Sequence, residues 1–223
     1  MTSTVEQTLQ PGQFITLEGT EGVGKSTNLE AVCACLSDYG IDFYQTREPG
    51  GTAVAEALRG VLLDDLQEQV FGISELLIFF AARKQHLEHE IKPRLAKGQW
   101  VVCDRFTDAT YAYQGTARGI DPTFIEYLEE KVQGKLQPNL TILLDLDPEI
   151  AFQRIADREK DRLEKENIAF YKAVREGYLQ RVAKFPRMQV VDASKSLLEV
   201  QEKIKIIMQS HINQTANNTG LKD

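Results

Sequence analysis

The strictest constraint in this chain is an apolar run that stops at a glycine-rich loop and resumes as a helix. Phe14-Ile15-Thr16-Leu17 leads into Gly19-Thr20-Glu21-Gly22-Val23-Gly24-Lys25-Ser26, a full match to Gly-x-x-x-x-Gly-Lys-Ser, and residues 25–38 continue with a helical pattern. The glycines let such a loop curl so that backbone N–H groups converge on phosphate oxygens at the positive end of the helix. Lys25 is expected to neutralise a transferring phosphate, and the Ser26 hydroxyl to ligate Mg²⁺. Trp100-Val101-Val102-Cys103, Thr141-Ile142-Leu143-Leu144 and Gln189-Val190-Val191 are similar apolar runs, each ending in an acid (Asp104, Asp145, Asp192) as the first ends in Glu18; Ile41-Asp42-Phe43-Tyr44 is a fainter fifth. Short apolar strands separated by helical stretches imply an α/β fold with a five-stranded parallel sheet flanked by helices. Ligands in such sheets bind beyond the carboxyl ends of the strands.

Helical patterns fill 25–38, 52–62, 73–97, 122–133, 148–158, 164–185 and 196–211, with Gly40 and Gly98 at expected stops. Asp121-Pro122 and Asp147-Pro148 read as N-caps followed by a first-turn proline. One domain over 12–211 follows, with 1–11 as a disordered arm and 212–223 as a disordered tail. The 26 Lys and Arg against 33 Asp and Glu leave a net charge of −7, which argues against a nucleic-acid partner. No apolar run approaches the ~18–20 residues that span a bilayer. The polar start lacks a basic stretch followed by an apolar one, so a cytoplasmic location with no membrane partner is expected. Cys33, Cys35 and Cys103 fit neither a disulfide framework nor a zinc pattern, and Cys103 reads as an inert buried strand residue. His86 and His89, three apart on a polar helix face, read as surface residues rather than metal ligands.

The phosphate loop implies a nucleotide but not a reaction. A guanine-nucleotide switch would carry Asp-x-x-Gly and Asn-Lys-x-Asp strings, and neither occurs. The length leaves little room for a motor, so a small kinase with a small phosphorylated acceptor fits better. Four further strings sharpen this: Thr46-Arg47-Glu48-Pro49-Gly50-Gly51-Thr52, Phe79-Phe80-Ala81-Ala82-Arg83-Lys84-Gln85, Asp104-Arg105-Phe106 and Tyr111-Ala112-Tyr113-Gln114-Gly115. In this order and spacing, over roughly residues 12–210, they resemble the bacterial type of thymidylate kinase, with Thr-Arg-Glu-Pro-Gly-Gly-Thr far more specific than the phosphate loop.

That resemblance implies the fold of a P-loop nucleoside monophosphate kinase with a mobile lid. It implies phosphorylation of dTMP to dTDP by ATP and Mg²⁺, in support of dTTP supply, and a homodimer. Another nucleoside or nucleotide kinase, or a regulator that binds nucleotide without turnover, are the alternatives. ATP falls to Gly19, Thr20, Glu21, Gly22, Val23, Gly24, Lys25, Ser26 and Thr27. Arg105, at a strand end beside the loop, is placed to grip the acceptor phosphate in a bidentate manner. Asp104 is expected to hold Mg²⁺ through water, with Ser26 as the other metal residue, or to orient the attacking oxygen. The resemblance assigns Phe79 to stacking on the base and Arg83 to its carbonyl, although Phe79 alone reads more readily as core. Arg47, after the second strand, is expected to approach the acceptor phosphate, Glu48 and Pro49 shape that loop, Thr110, Tyr113 and Gln114 lie along base and sugar, and Glu21 approaches the sugar and phosphate. A Tyr113 ring near C2′ leaves no room for a ribose hydroxyl, and a half-buried aromatic with its hydroxyl in water is the other reading.

Residues 153–166 form a charged stretch in the position of the lid. Glu21 is an acid where some relatives place a basic residue, as in the subgroup in which a lid arginine supplies the missing charge. Arg158 is the first candidate and Arg154 the second; Arg162 serves substrate positioning or closure. The helix at 73–82 is apolar nearly all round, as expected where one face meets the sheet and another meets either a neighbouring helix or a partner.

Overall fold

The computed structural model describes residues 11–64, 67–155, 162–163 and 165–218. In chain order the elements are β1 (Phe14–Glu18), α1 (Lys25–Asp38), β2 (Phe43–Arg47), α2 (Ala53–Leu63), α3 (Gly72–His86), α4 (Lys92–Ala96), β3 (Trp100–Asp104) and α5 (Thr107–Thr110). They continue as α6 (Pro122–Gln133), β4 (Leu140–Asp145), α7 (Pro148–Arg154), α8 (Ile168–Lys184), β5 (Met188–Asp192) and α9 (Leu197–Asn218). All strands are parallel, in the order β2-β3-β1-β4-β5. The chain crosses from one half of the sheet to the other at β1, so a crevice opens at the carboxyl ends beside it. Leu17 and Arg47 both stand in register with Asp104, which sets the ends of three adjacent strands side by side.

Alternate side chains of the sheet bury on opposite faces. Ile15, Leu17, Val102, Ile142 and Leu144 cluster with Val32 and Leu36 of α1 and with Ile204 and Met208 of α9. Phe14, Val101 and Cys103 pack on the other face with Leu87, Ile91 and Phe106. Burying each large aliphatic side chain contributes about 1.5–3 kcal/mol, more than the ~1 kcal/mol by which strand propensity discriminates. Registry with β3, from Phe43↔Trp100 to Arg47↔Asp104, therefore carries β2 three residues past the run expected at 41–44. As an edge strand it leaves Gln45 and Arg47 exposed.

The helix expected at 73–97 is broken into α3, a wider π turn over Leu87–Ile91, and α4. Pro93 cannot donate to the carbonyl of His89, and its ring crowds that oxygen, so the turn widens ahead of it. A second π stretch, Tyr111–Ala117, continues α5 where the sequence reading assigned no helix. It packs against α8 at Gly177, where an added Cβ would stand 2.8 Å from the Cα of Ala112. α9 runs on past the stop expected at 211, because Ile212 extends its buried stripe of Val200, Ile204 and Met208. Residues 212–218, assigned to the tail, are therefore helical; the expected arm over 1–10 and the end of the tail over 219–223 lie outside the described residues.

Candidate active site

The loop after β1 curls as its sequence demands. Gly22 has φ +77°, and an added Cβ would stand 2.3 Å from the carbonyl oxygen of Ala151. α7 thus presses on the loop from outside, and only glycine fits there. Val23 and Thr20 turn inward and are buried, while Gly24, Ser26 and Thr27 are exposed at the start of α1. Lys25 folds back so that Nζ donates to the carbonyls of Gly19 at 3.1 Å and Thr20 at 2.9 Å. Burial, together with the charge of Arg105, lowers its pKa below the usual lysine value.

A cavity of about 430 Å³ opens over the carboxyl ends of β1, β3 and β2. Glu21, Gly22 and Gly24 to Thr27 line it from the loop, Arg47 to Pro49 from the end of β2, and Phe79 and Arg83 from α3. Asp104 and Arg105 enter from β3, and Thr110, Tyr113 and Gln114 from α5 and the turn that follows. Every residue expected at the acceptor therefore faces one space; of the expected ATP residues, Gly19, Thr20 and Val23 do not line it.

Arg105 adopts φ +67°, a left-handed conformation uncommon for a residue with a side chain. Its Nη2 donates to Glu21 Oε1 and, at 3.3 Å, to the carbonyl of Gly19. The Tyr113 hydroxyl donates to Glu21 Oε2 at 2.7 Å, and the Arg105 guanidinium lies 5.0 Å from the Tyr113 ring centre. Burial pushes the Glu21 carboxyl up, but Arg105, Lys25 and the Tyr113 hydroxyl outweigh it and hold its pKa at about 2. Beneath lies Glu18, fully buried, accepting from the Phe106 amide at 2.8 Å and the Tyr178 hydroxyl at 2.9 Å. Burial, and then the charge of Asp108, raise its pKa to about 8. Glu18 is thus a support for the turn after β3 rather than a cavity acid.

At the other side, Arg83 is buried and its Nε donates to Glu48 Oε2 at 2.7 Å, its Nη2 to Thr110 Oγ1 at 3.0 Å. Nη1 is buried without a partner among the described residues. Glu48 also pairs with His86 Nδ1 at 3.2 Å, and His86 Nε2 lies 2.7 Å from Thr46 Oγ1. Burial raises the Glu48 carboxyl, and Arg83 followed by His86 overrides it, leaving the pKa below the usual value. The surface reading of His86 is therefore wrong: it is fully buried under the acceptor loop, while His89 is exposed. Arg47 is exposed and held by Glu56, with contacts of 3.0 and 2.8 Å.

Arg158 lies outside the described residues, as do 156–161 as a whole and 164 of the expected lid. Arg154 lines the cavity and donates to the Ala193 carbonyl at 3.1 Å. Arg162 does not line it; Nε donates to the Leu62 carbonyl at 2.7 Å and Nη2 to Glu75 at 2.8 Å. Sequence reasoning missed Arg59, Leu63, Phe106, Ala109, Ile155 and Leu163 among the lining residues. Arg59 carried a signal: it sits four residues after the buried Ala55 of α2, a cation within an apolar stripe. Glu75 carried another, since the four-residue spacing that pairs Phe79 with Arg83 extends back to it.

The family profile described as thymidylate kinase matches residues 17–204. A thymidylate kinase of Chromohalobacter salexigens is 57% identical over 200 residues, covering 88% of this chain and 94% of its own length. One from Teredinibacter turnerae is 48% identical over 203 residues, covering 90% and 99%. Among solved structures, thymidylate kinase from Ehrlichia chaffeensis superposes with a TM-score of 0.72 at 33% identity, covering 89% of this chain and 99% of its own.

Proposed function

The chain belongs to the thymidylate kinase family, and on that footing we propose how its cavity residues divide the work. It is a nucleoside monophosphate kinase that phosphorylates dTMP to dTDP, with ATP as the phosphoryl donor. One observation carries the assignment of both substrates to this cavity: Arg83, whose buried Nη1 has no partner among the described residues, lines the same cavity as the phosphate loop. A buried donor without a partner is costly, and a pyrimidine carbonyl supplies the acceptor. Phe79, one turn away, offers its ring to the base. Tyr113, fixed through its hydroxyl by Glu21, stands beside the sugar, where it excludes a 2′-hydroxyl.

Among the described residues Arg105 spends only Nη2, on Glu21 and Gly19, so Nε and Nη1 remain for oxygens of the acceptor phosphate. Arg47 reaches the same phosphate by exchanging Glu56 for it. Lys25 exchanges two neutral carbonyls for the γ-phosphate, a more highly charged acceptor. The oxygen of dTMP is already a nucleophile, so these groups align and neutralise, and no covalent intermediate forms.

Mg²⁺ fits the same place. Asp104 Oδ1 is buried and has no partner among the described residues, Ser26 lines the same cavity, and a carboxylate with a hydroxyl is the hard oxygen set this ion takes. Ser26 and Asp104, directly or through water, would hold it, and when bound it offsets charge on the phosphates. We also assign the chain to the cytoplasm and to a homodimer. No helix among the described residues is long and apolar enough to cross a membrane. α3 exposes Ile73 by 48% and Leu77 by 46% on one face, next to Phe71 at 65%, an apolar surface suited to a second copy. Light scattering at micromolar concentration is expected to give twice the chain mass; a monomer mass contradicts the dimer.

A coupled ADP-release assay with dTMP, dUMP, dCMP, AMP, GMP and thymidine tests the acceptor. Stimulation chiefly by dTMP is expected, and no stimulation by any acceptor would leave a nucleotide-binding regulator. Arg83→Ala is expected to raise the dTMP KM by the equivalent of about 1.5–3 kcal/mol, the weight of a charged hydrogen bond. The melting temperature should also fall, because Glu48 loses its buried counter-ion. A change confined to the ATP KM would place Arg83 outside the acceptor site.

A further inference from the structure

Glu75 is fully buried in α3, yet no role in the reaction attaches to it so far. Its two oxygens gather three side chains from separate parts of the chain. Gln114 Nε2 donates to Oε1 at 3.0 Å, Arg162 Nη2 donates to Oε2 at 2.8 Å, and Arg118 approaches both oxygens at 3.4 Å. The two arginines offset the buried carboxylate and keep it an acceptor. Against an acceptor-only carboxylate, the Gln114 amide has one orientation: its NH₂ must face Glu75. Its carbonyl, Oε1, is left as the atom that Gln114 offers to the cavity it lines, and no described residue donates to it.

We propose that Glu75 is a positioning residue for base choice, locking the Gln114 amide so that the cavity presents a hydrogen-bond acceptor to the pyrimidine ring. The inference rests on the placement of the base beside Gln114 and Arg83 in the proposed function. Thymine and uracil carry an imide N3–H, which donates to such a carbonyl. Cytosine carries a bare N3 lone pair at that position, which meets the carbonyl as acceptor against acceptor. Arg83 Nη1 and Gln114 Oε1 then form a donor and acceptor pair that matches the carbonyl and N–H of an imide and mismatches the amino group and lone pair of cytosine. A free glutamine amide could turn over and accept either base. A locked one cannot.

The test compares kcat and KM for dTMP and dCMP in the wild type, Glu75→Gln, Gln114→Ala and Arg118→Ala. Glu75→Gln keeps the shape of the side chain but can present either a donor or an acceptor to Gln114. It is expected to raise the dTMP KM and to shift the kcat/KM ratio of dCMP to dTMP upward by about tenfold, with kcat at saturating dTMP retained. Arg118→Ala removes an ion pair to the same carboxylate but leaves the contact with Gln114, so the ratio should stay at the wild-type value even if the melting temperature falls. Should Glu75→Gln depress both substrates equally, as a merely structural defect would, the proposal fails while the acceptor site stands. If Gln114→Ala leaves the dTMP KM unchanged, the placement of the base beside Gln114 fails, and this inference with it.

Discussion

Lys25→Ala is expected to lower kcat by about 10²–10³, the cost of removing one preorganised electrostatic group from a phosphoryl-transfer site. The size follows from where the charge stands. Lys25 opens α1 directly after the glycine loop, and Nζ makes two hydrogen bonds to loop carbonyls that it can release to a phosphate. The fold should survive. Those bonds are between a cation and neutral carbonyls at the cavity wall, where water can replace the ammonium. Rates at saturating ATP and dTMP, beside a thermal melt, check both halves. Turnover near the wild-type value with an intact melt would remove the loop from the chemistry.

Arg158→Ala is expected to lower kcat by ~10³ or more, as for the arginine fingers of related chemistry, with the dTMP KM nearly unchanged. Glu21 brings a negative charge into the phosphate loop, and with a pKa of about 2 it stays ionised at any working pH. It also engages Arg105. The charge that develops on the transferring group therefore needs a further cation. Arg162 is occupied by Glu75 and the Leu62 carbonyl, whereas Arg154 lines the cavity and, among the described residues, donates only to the Ala193 carbonyl. Arg158 stays the first candidate that the resemblance suggests, and Arg158→Lys should rescue poorly because an ammonium lacks the planar fork. The measurement is kcat and both KM values for Arg154→Ala, Arg158→Ala and Arg162→Ala. Loss confined to Arg154→Ala would move the role to Arg154; full activity in all three would refute the need for a lid cation.

Much of this site was legible because its signals are local. The phosphate loop is one string between one strand and one helix, and the Thr46 to Thr52, Phe79 to Gln85 and Tyr111 to Gly115 strings each carry their own residues into the cavity. What the sequence hid depends on partners far along the chain. His86 looked like a surface residue because a three-residue spacing does not say which helix face is covered; Glu48, 38 residues earlier, covers it. Glu75 lies in the stretch 73–82 that reads as apolar nearly all round, and its meaning comes from Gln114, Arg118 and Arg162. Glu18 sat among the strand-end acids facing ligand, yet Tyr178 and the Phe106 amide close over it. Helix boundaries failed where backbone geometry departs from the regular period, at the wide turns Leu87–Ile91 and Tyr111–Ala117.

That both substrates share one continuous cavity can be tested with a single molecule, an adenosine and a thymidine joined through five phosphates. It carries both nucleosides on one phosphate chain, and Gly22 and Arg83 line the same cavity. Inhibition kinetics of the ADP-release reaction against varied ATP and varied dTMP are the measurement. Competition with both substrates, at one molecule bound per chain by calorimetry and weakened by Lys25→Ala and by Arg83→Ala alike, is the result expected. Competition with ATP alone, or binding insensitive to Arg83→Ala, would place dTMP outside the cavity described and contradict the site as a whole.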